Sequence, residues 1–304
     1  MVFSTYICVV KTLFHIDQSE VNALIRLVED PDPGVYSQVK NKLVSFGENV
    51  LPNIEESRLN GTHDVEHESK LKTIISEIRF STVSQKLLQW KNSANRDLLK
   101  GAHIINQYQY PDIEESEIEE EIEKIKQKVW LEINEENTAF EIVKIFNHVM
   151  FDLLGFSGSK KDFHSPQNSY LHSVLRTKKG TPLSLSIVYS IVAQKLDIPI
   201  FGVNLPNQFI LGFVDENKTL KMLNVNSNRN ILFYINPFSK GRIFDHNEIE
   251  GYLRKLNLPL SKNYYEPCSN TDILKRMLSN LSYSYSKSGD TSKVEELKKL
   301  HLIL

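Results

Sequence analysis

Two histidines one helical turn apart are the first candidates for chemistry in this sequence. His63 and His67 stand at i and i+4, so a helix would place both on one face, where a zinc ion could bridge them. No third ligand follows nearby, and Glu66 does not stand where the catalytic base of a zinc peptidase would. We therefore interpret the segment as a charged, solvated helix start and expect no metal and no cofactor.

Side chains that could act as nucleophiles are few. Ser184 lies near the start of a predicted helix, and the two cysteines, Cys8 and Cys268, are far apart in the sequence. A serine at a helix start more commonly hydrogen-bonds to the backbone than attacks a substrate, because its hydroxyl satisfies backbone groups at the helix end. His164, His172 and His246 occur in the same predicted domain as Ser184.

The bulk composition excludes some classes of function. The 304 residues carry a formal net charge of -2, so the chain lacks the basic field that a nucleic acid backbone requires. Two cysteines are typical of a reducing compartment rather than of a disulfide framework. No apolar run reaches the roughly 20 residues of a membrane-spanning helix, and Phe3–Val10 fits a buried strand or packed arm better than a targeting segment. We expect a cytoplasmic protein that binds neither nucleic acid nor membranes.

Apolar residues at helical spacing dominate the first half of the chain. Val21, Leu24, Ile25 and Val28 share one helix face, and a second helix resumes after the proline-rich turn at 31–34. Two short helices joined by such a turn resemble a HEAT-type repeat, in which neighbouring helices complete each other's core. Further helices are predicted at 64–79, 81–95, 96–108, 114–128 and 138–154.

The pattern changes after Leu154. Pro182 suits the first position of a buried helix that runs to Leu196, because an N–H at that position would have no intrahelical partner. Short apolar runs then predict strands at 200–205, 209–214, 221–225 and 231–235. Helices return at 272–287 and 293–300, and the glycine-containing turn between them resembles half of a tetratricopeptide unit.

Residues 155–241 carry an ordered series of short motifs. They include Gly155-Phe156-Ser157-Gly158, Pro166-Gln167-Asn168-Ser169, Gly180-Thr181-Pro182-Leu183-Ser184, Leu196-Asp197-Ile198-Pro199, Gly202-Val203-Asn204-Leu205-Pro206 and Asn236-Pro237-Phe238. In this order and spacing the motifs resemble the SirB-type branch of the transglutaminase-like superfamily, with the resemblance extending over residues 96–260. The resemblance implies a papain-like α+β domain whose catalysing members use a triad of cysteine, histidine and aspartate.

The resemblance also implies that all three catalytic positions have lost their chemistry. Pro182 stands at the cysteine position, Gln208 at the histidine position of a Pro-Gly-His-Phe motif, and Asn236 at the aspartate position of an Asp-Pro-Phe motif. A proline ring and two carboxamides cannot transfer protons at neutral pH. The chain is therefore expected to lack triad catalysis, although the surrounding glycines, prolines and apolar residues are present.

The sequence thus predicts an α+β protein in three parts: a HEAT-like helical region (1–95), a transglutaminase-like domain with a helical lead-in (96–262) and a tetratricopeptide-like helix pair (263–304). The predicted function is that of a non-catalytic regulatory or scaffold protein that binds a protein or peptide. The candidate cleft residues are Asn168, Ser184, Asn204, Gln208 and Asn236. Two alternatives stay open: a hydrolase or acyltransferase with a relocated nucleophile such as Ser184, and a purely structural subunit.

Overall fold

The structure is a computed structural model that describes residues 17–60, 64–216, 222 and 230–304. The chain divides into two compact units, residues 1–82 and residues 83–304. The strand or arm predicted at Phe3–Val10, together with Cys8, lies outside the described residues, and so does His63. The domain boundaries drawn from the sequence at 95/96 and 262/263 stay predictions.

The first unit is built from helices that each bury one apolar face. Asp17 and Asp32 begin the first two helices by accepting hydrogen bonds from the N–H groups of Ser19 and Gly34, at 2.8 and 2.7 Å. The helices that begin in this unit are α1 (Gln18–Leu27), α2 (Pro33–Phe46), α3 (Leu51–Asn60) and α4 (Val65–Asn92). Their buried faces share one hydrophobic core, formed by Val21, Ile25, Val28, Val39, Leu43, Val50, Ile54, Leu71, Ile74, Ile75 and Ile78.

Helix α4 is continuous where the sequence pattern predicted two helices, at 64–79 and 81–95. The residues at the predicted break, 80–82, include neither proline nor glycine, so the backbone hydrogen-bond ladder runs through them. His67 lies in the first turn of α4, where its side chain is buried and its Nδ1 pairs with the Glu29 carboxylate. The interpretation of a solvated helix start is therefore wrong for His67, because this ring belongs to the interior of the first unit.

Helices also open the second unit. Asp97 accepts a hydrogen bond from Lys100 N–H at 2.7 Å, and Thr138 and Glu141 cap each other's backbone N–H groups, so both helix starts are fixed locally. The segments are α5 (Leu98–Gln107), α6 (Glu115–Trp130), α7 (Ala139–Asn147) and a π-helical turn (His148–Leu153). The helix predicted over 138–154 is thus an α-helix that continues into a π-helical turn.

A buried helix forms the centre of the second unit. Around it lie a parallel pair of short strands, β1 (Ser157–Gly158) and β2 (Lys179–Gly180), a 3-10 helix (Pro166–Ser169) and α8 (Leu171–Thr177), and the central helix itself is α9 (Pro182–Gln194). Residues 183–193 of α9 are all buried. Pro182 occupies its first turn, as the sequence predicted.

The described strands after α9 form an antiparallel sheet in chain order. They are β3 (Ile200–Val203), β4 (Ile210–Val214), β5 (Ile231–Asn236) and β6 (Arg242–Phe244). The strands predicted at 200–205, 209–214 and 231–235 are present, whereas the strand predicted at 221–225 lies outside the described residues apart from residue 222. Helix α9 contacts β3 and β4, so the buried helix packs against the sheet.

The C-terminal helices pack on this central layer. They are α10 (His246–Lys255), α11 (Asn270–Lys287) and α12 (Thr291–Ile303). Helix α10 shares a hydrophobic cluster with the sheet through Ile249 and Leu253. Helix α11 contacts α5, α9 and the 3-10 helix at 166–169, and it also packs against α12. The HEAT-like and tetratricopeptide-like resemblances of the terminal helices stay predictions.

Helices and a small sheet in one compact unit confirm the predicted α+β class. Among the described residues, no helix combines the length and the apolar character that a membrane crossing would require.

Candidate functional site

Hydrogen bonds close the helix start at which Pro182 stands. Thr181 caps α9 by accepting a hydrogen bond from Ser184 N–H at 3.2 Å, and Ser184 Oγ accepts one from Thr181 N–H at 2.8 Å. Ser184 Oγ also donates to the carbonyl oxygen of Asn168 at 2.6 Å. Both Thr181 and Ser184 are buried. The Ser184 hydroxyl is therefore engaged in the capping box and in a tie to the neighbouring 3-10 helix.

A cavity of about 140 Å³ lies beside this helix start, between α9 and α11, and we call it the α9–α11 cavity. Pro182 and Gln208 both line it, which brings two of the three triad-equivalent positions together. The full lining consists of Phe163, His164, Ser169, Thr181, Pro182, Leu183, Asn207, Gln208, Phe209, Arg276, Asn280, Tyr283 and Ser284.

Gln208 also lines a cavity together with Asn236, the third triad-equivalent position. A second cavity of about 490 Å³, bordered by α10 and called the α10 cavity, is lined by both Gln208 and Asn236. The Tyr252 hydroxyl donates to the Pro206 carbonyl oxygen at 2.9 Å. Burial raises the pKa of Tyr252, and a hydrogen bond from the Gln208 side chain partly opposes that rise. The side chain of Gln208 thus has a structural partner on α10.

Asn236 ends β5 and shapes the turn that follows it. Its Oδ1 accepts a hydrogen bond from Ser239 N–H at 3.2 Å, and its carbonyl oxygen accepts one from Gly241 N–H at 2.9 Å. Gly241 has a φ of +71° and lies against the Asn147 side chain, which leaves no room for a Cβ. Asn236 is therefore a turn-forming residue in this structure.

The other two predicted cleft residues support the walls rather than line them. Asn168 donates from Nδ2 to the Asp162 carbonyl oxygen at 2.5 Å, and Asn204 Oδ1 accepts from Arg276 Nη1 at 2.9 Å. Ser184, Asn168 and Asn204 are absent from the lining of both cavities, within the described part of the chain. Of the five predicted cleft residues, Gln208 and Asn236 face open space.

One wall of the α9–α11 cavity comes from a helix that the sequence interpretation assigned to a separate C-terminal part. Arg276, Asn280 and Tyr283 of α11 stand at i, i+4 and i+7, and all three line the cavity. Burial lowers the pKa of Arg276, because a charged guanidinium loses hydration in a half-buried position. A polar and aromatic stripe at helical spacing, beside the apolar face of the same helix, was the signal that could have identified these residues.

His164 is the histidine that the structure places in this cavity. Its ring packs edge-on against those of Phe163 and Tyr283, with centroids 5.2 and 5.3 Å away. His172 instead lies against Tyr110, and His246 against Tyr265. The hydroxyl of Ser184 instead bonds to two backbone groups, the Thr181 N–H and the Asn168 carbonyl oxygen.

Cys268, which lies among the described residues, is not activated as a nucleophile. Burial raises the pKa of the Cys268 thiol to about 12. Its backbone N–H donates to the Gly202 carbonyl oxygen at 2.8 Å, next to the sheet. Within the described ranges, no group of three histidine, cysteine, aspartate or glutamate side chains is placed to hold a metal ion.

Comparisons with known proteins agree with the geometry. The family model of the transglutaminase-like superfamily matches residues 116–279, a span that includes α6 to α10 and the first half of α11. A UPF0162 protein of Xylella fastidiosa is 27% identical over 218 residues, which cover 68% of this chain and 73% of that protein. A UPF0162 protein of Vibrio cholerae is 26% identical over 188 residues, which cover 61% of this chain and 65% of that protein.

A eukaryotic protein matches a shorter stretch. F-box only protein 21 of Mus musculus is 31% identical over 143 residues, which cover 46% of this chain but 21% of that protein. The matched stretch of this chain is thus about a fifth of the length of that relative. No solved structure gave a significant match to the chain.

Proposed function

Because the chain belongs to the transglutaminase-like superfamily, whose family model matches more than half of it, we propose that it is a non-catalytic member that binds a protein or peptide. The observation that carries the proposal is the state of the α9 start. Pro182 stands there without a nucleophilic atom, and its neighbours Thr181 and Ser184 form a closed capping box. Binding occurs at the α9–α11 cavity, which remains open beside this helix start.

The residues around the cavity support binding rather than chemistry. Gln208 and Asn236 carry carboxamides, which donate and accept hydrogen bonds but do not exchange protons at neutral pH. The raised pKa of Cys268 keeps that thiol protonated at neutral pH. The lining combines amides, one guanidinium, the His164 imidazole and aromatic rings, so a few polar groups stand among apolar walls as in many ligand sites.

An enzyme with a relocated nucleophile is the alternative. Ser184 is the candidate for a hydrolase or acyltransferase, since it is the serine nearest in sequence to the nucleophile position. Attack would require Ser184 Oγ to release the Asn168 carbonyl and the Thr181 N–H, and a base within hydrogen-bonding reach to take its proton. The observed hydrogen bonds favour the binding protein over this alternative.

Active-site-directed probes test the absence of catalysis. We expect the native 304-residue chain to show no stoichiometric labelling with a fluorophosphonate or with iodoacetamide at pH 7, because the Ser184 hydroxyl is bonded to backbone groups and burial raises the pKa of the Cys268 thiol. Labelled sites are read by peptide mass spectrometry, with the denatured chain as the control for reagent reactivity. Stoichiometric labelling at Ser184, Cys8 or Cys268 that a competing acyl substrate prevents would establish the enzyme instead.

A cavity-filling substitution tests the binding half of the proposal. Asn280→Trp places a large ring at the α9–α11 cavity, whereas Ser279→Trp adds the same ring on the exposed side of the same helix. We expect partners captured from the native cell by the wild-type chain to be captured equally by S279W and to be reduced at least about tenfold with N280W. Equal capture by both variants would place the binding surface elsewhere, and equal melting temperatures control for misfolding.

A further inference from the structure

The size of the α9–α11 cavity limits what can enter it. About 140 Å³ is close to the roughly 150 Å³ engineered cavity that holds a benzene molecule, and it is smaller than the roughly 300–1,000 Å³ of cofactor and drug sites. A single side chain or the end of a peptide fits this volume, and a nucleotide does not. The inference that follows rests on the proposed function, since it names the chemistry of the group that the cavity receives.

The charge of the lining is one-sided. Arg276 contributes a guanidinium, and neither aspartate nor glutamate is among the lining residues of the described chain. Arg276 forms no ion pair within the described ranges, and its hydrogen bond to Asn204 Oδ1 at 2.9 Å uses one of five N–H donors. A half-buried guanidinium without a carboxylate loses hydration that its surroundings do not replace, in line with the lowered pKa of this group.

A second polar group in the same cavity lacks a partner. The Ser169 side chain is 3% exposed, and its hydroxyl oxygen has no hydrogen-bond partner among the residues described. Ser169 lines the cavity together with Arg276. A buried hydroxyl without a partner is uncommon, because desolvation of the group is then not offset. An acceptor that enters the cavity would satisfy both residues.

The surrounding walls fit the same ligand. The amide of Gln208 adds a donor, and the N-terminal end of α9 at Leu183 favours negative charge through the helix dipole. The rings of Phe209 and Tyr283 offer an apolar surface for a short aliphatic stem. Donors, positive charge and apolar walls at this scale match a carboxylate on a two- or three-carbon stem.

We propose that the α9–α11 cavity binds a carboxylate of a partner peptide, with Arg276 as its charge partner and Ser169 as a hydrogen-bond donor. The carboxylate belongs either to an acidic side chain or to the C-terminus of the peptide, and the experiment separates the two sources.

Titration of the full-length chain with small blocked amino acids tests the proposal. The probes are N-acetyl-glutamate amide, which carries a side-chain carboxylate, N-acetyl-glutamine, which carries a terminal carboxylate, and N-acetyl-glutamine amide, which carries none. The measurement is the NMR shift of the arginine Nε–Hε signals, because this signal reports directly on contact with Arg276. We expect at least one carboxylate to bind at least about tenfold more tightly than the neutral amide.

Variants locate the binding within the cavity. Arg276→Gln and Ser169→Ala should each weaken carboxylate binding, the first at least about tenfold, whereas Arg254→Gln on the exposed face of α10 should leave it unchanged. Equal binding of all three probes to the wild-type chain would overturn the proposal without relying on any variant. If partner capture is lost with N280W while no carboxylate binds, the carboxylate inference fails and the binding function stands.

Discussion

The start of α9 and the cavity-facing side of α11 are two walls of the same cavity, and they hold their polar groups differently. At α9, Thr181 and Ser184 share hydrogen bonds with each other's backbone, and Ser184 also binds the Asn168 carbonyl oxygen. At α11, Arg276 reaches one amide oxygen and faces a cavity without a carboxylate. The wall that carries the nucleophile position is internally satisfied, and the facing helix retains unsatisfied donors.

This difference bears on where a binding function can reside in a chain whose triad-equivalent positions hold Pro182, Gln208 and Asn236. The first turn of α9 commits the side chains of Thr181 and Ser184 to its capping box, and Pro182 between them has no polar side-chain atom. On α11, Arg276 lies beyond the first turn, so its guanidinium is not used to cap the helix. Under the proposed binding function, recognition is assigned to α11, and the α9 start supplies shape and a favourable dipole.

The largest expected effect concerns the reactivity of a thiol introduced at the start of α9. The triple substitution P182C/Q208H/N236D places a cysteine, a histidine and an aspartate at the three triad-equivalent positions, of which Gln208 shares one cavity with Pro182 and another with Asn236. We expect the introduced thiol to react with iodoacetamide at pH 7 at least about a hundredfold faster than Cys268. A helix N-terminus and an imidazole lower a thiol pKa, whereas burial raises that of Cys268 to about 12.

Peptide-resolved mass spectrometry over time gives both rates in one sample. The single substitution P182C is the matched control, and it should react at an intermediate rate because it has the helix end without the imidazole. Because the thiolate is the reactive form, the labelling rate of Cys268 should increase about tenfold with each unit by which the pH is raised, as long as the pH stays below the pKa of this thiol. Equal rates at the introduced thiol and at Cys268 would mean that the three positions no longer form one site.

The α9 wall was largely predictable from the sequence, and the α11 wall was not. Pro182 at a helix start and the Thr181 and Ser184 spacing are local signals, since a helix end satisfies its N–H groups with residues within one turn. Arg276 meets the cavity only through tertiary packing of α11 against α9, some ninety residues later in the chain. No local preference encodes that contact, which is why the sequence placed α11 outside the domain.

The same distinction explains the other differences between prediction and structure. The separate helices predicted at 64–79 and 81–95 required a break that no proline or glycine imposes, so α4 continues. The exposure of His67 was misjudged because the burial of a ring depends on its partner Glu29, which belongs to a distant segment. The spacing of apolar residues and the capping residues indicate the helices and strands. Which residues meet at a cavity depends instead on which of these helices and strands pack together.

A smaller expected effect, on stability, tests whether the hydrogen bonds of Ser184 hold the start of α9. We expect Ser184→Ala to lower the free energy of unfolding by about 1–2 kcal/mol, because the Thr181 N–H and the Asn168 carbonyl oxygen would each lose their shorter hydrogen bond and keep the 3.3 Å bond to each other. Ser186→Ala is the matched control on the same helix. The Ser186 hydroxyl donates to the Pro182 carbonyl oxygen at 2.7 Å, which also accepts an intrahelical bond, so its loss should cost less than about 1 kcal/mol.

Urea denaturation of both variants, followed by circular dichroism, separates a capping serine from a catalytic one. A capping serine produces a clear gap in midpoint between S184A and S186A, with the same slope for both. If the two midpoints coincided, the Ser184 hydroxyl would contribute no more to stability than an ordinary helix serine. Its burial beside the nucleophile position would then favour chemistry over capping, and the α9 start could no longer be described as the satisfied wall of the cavity.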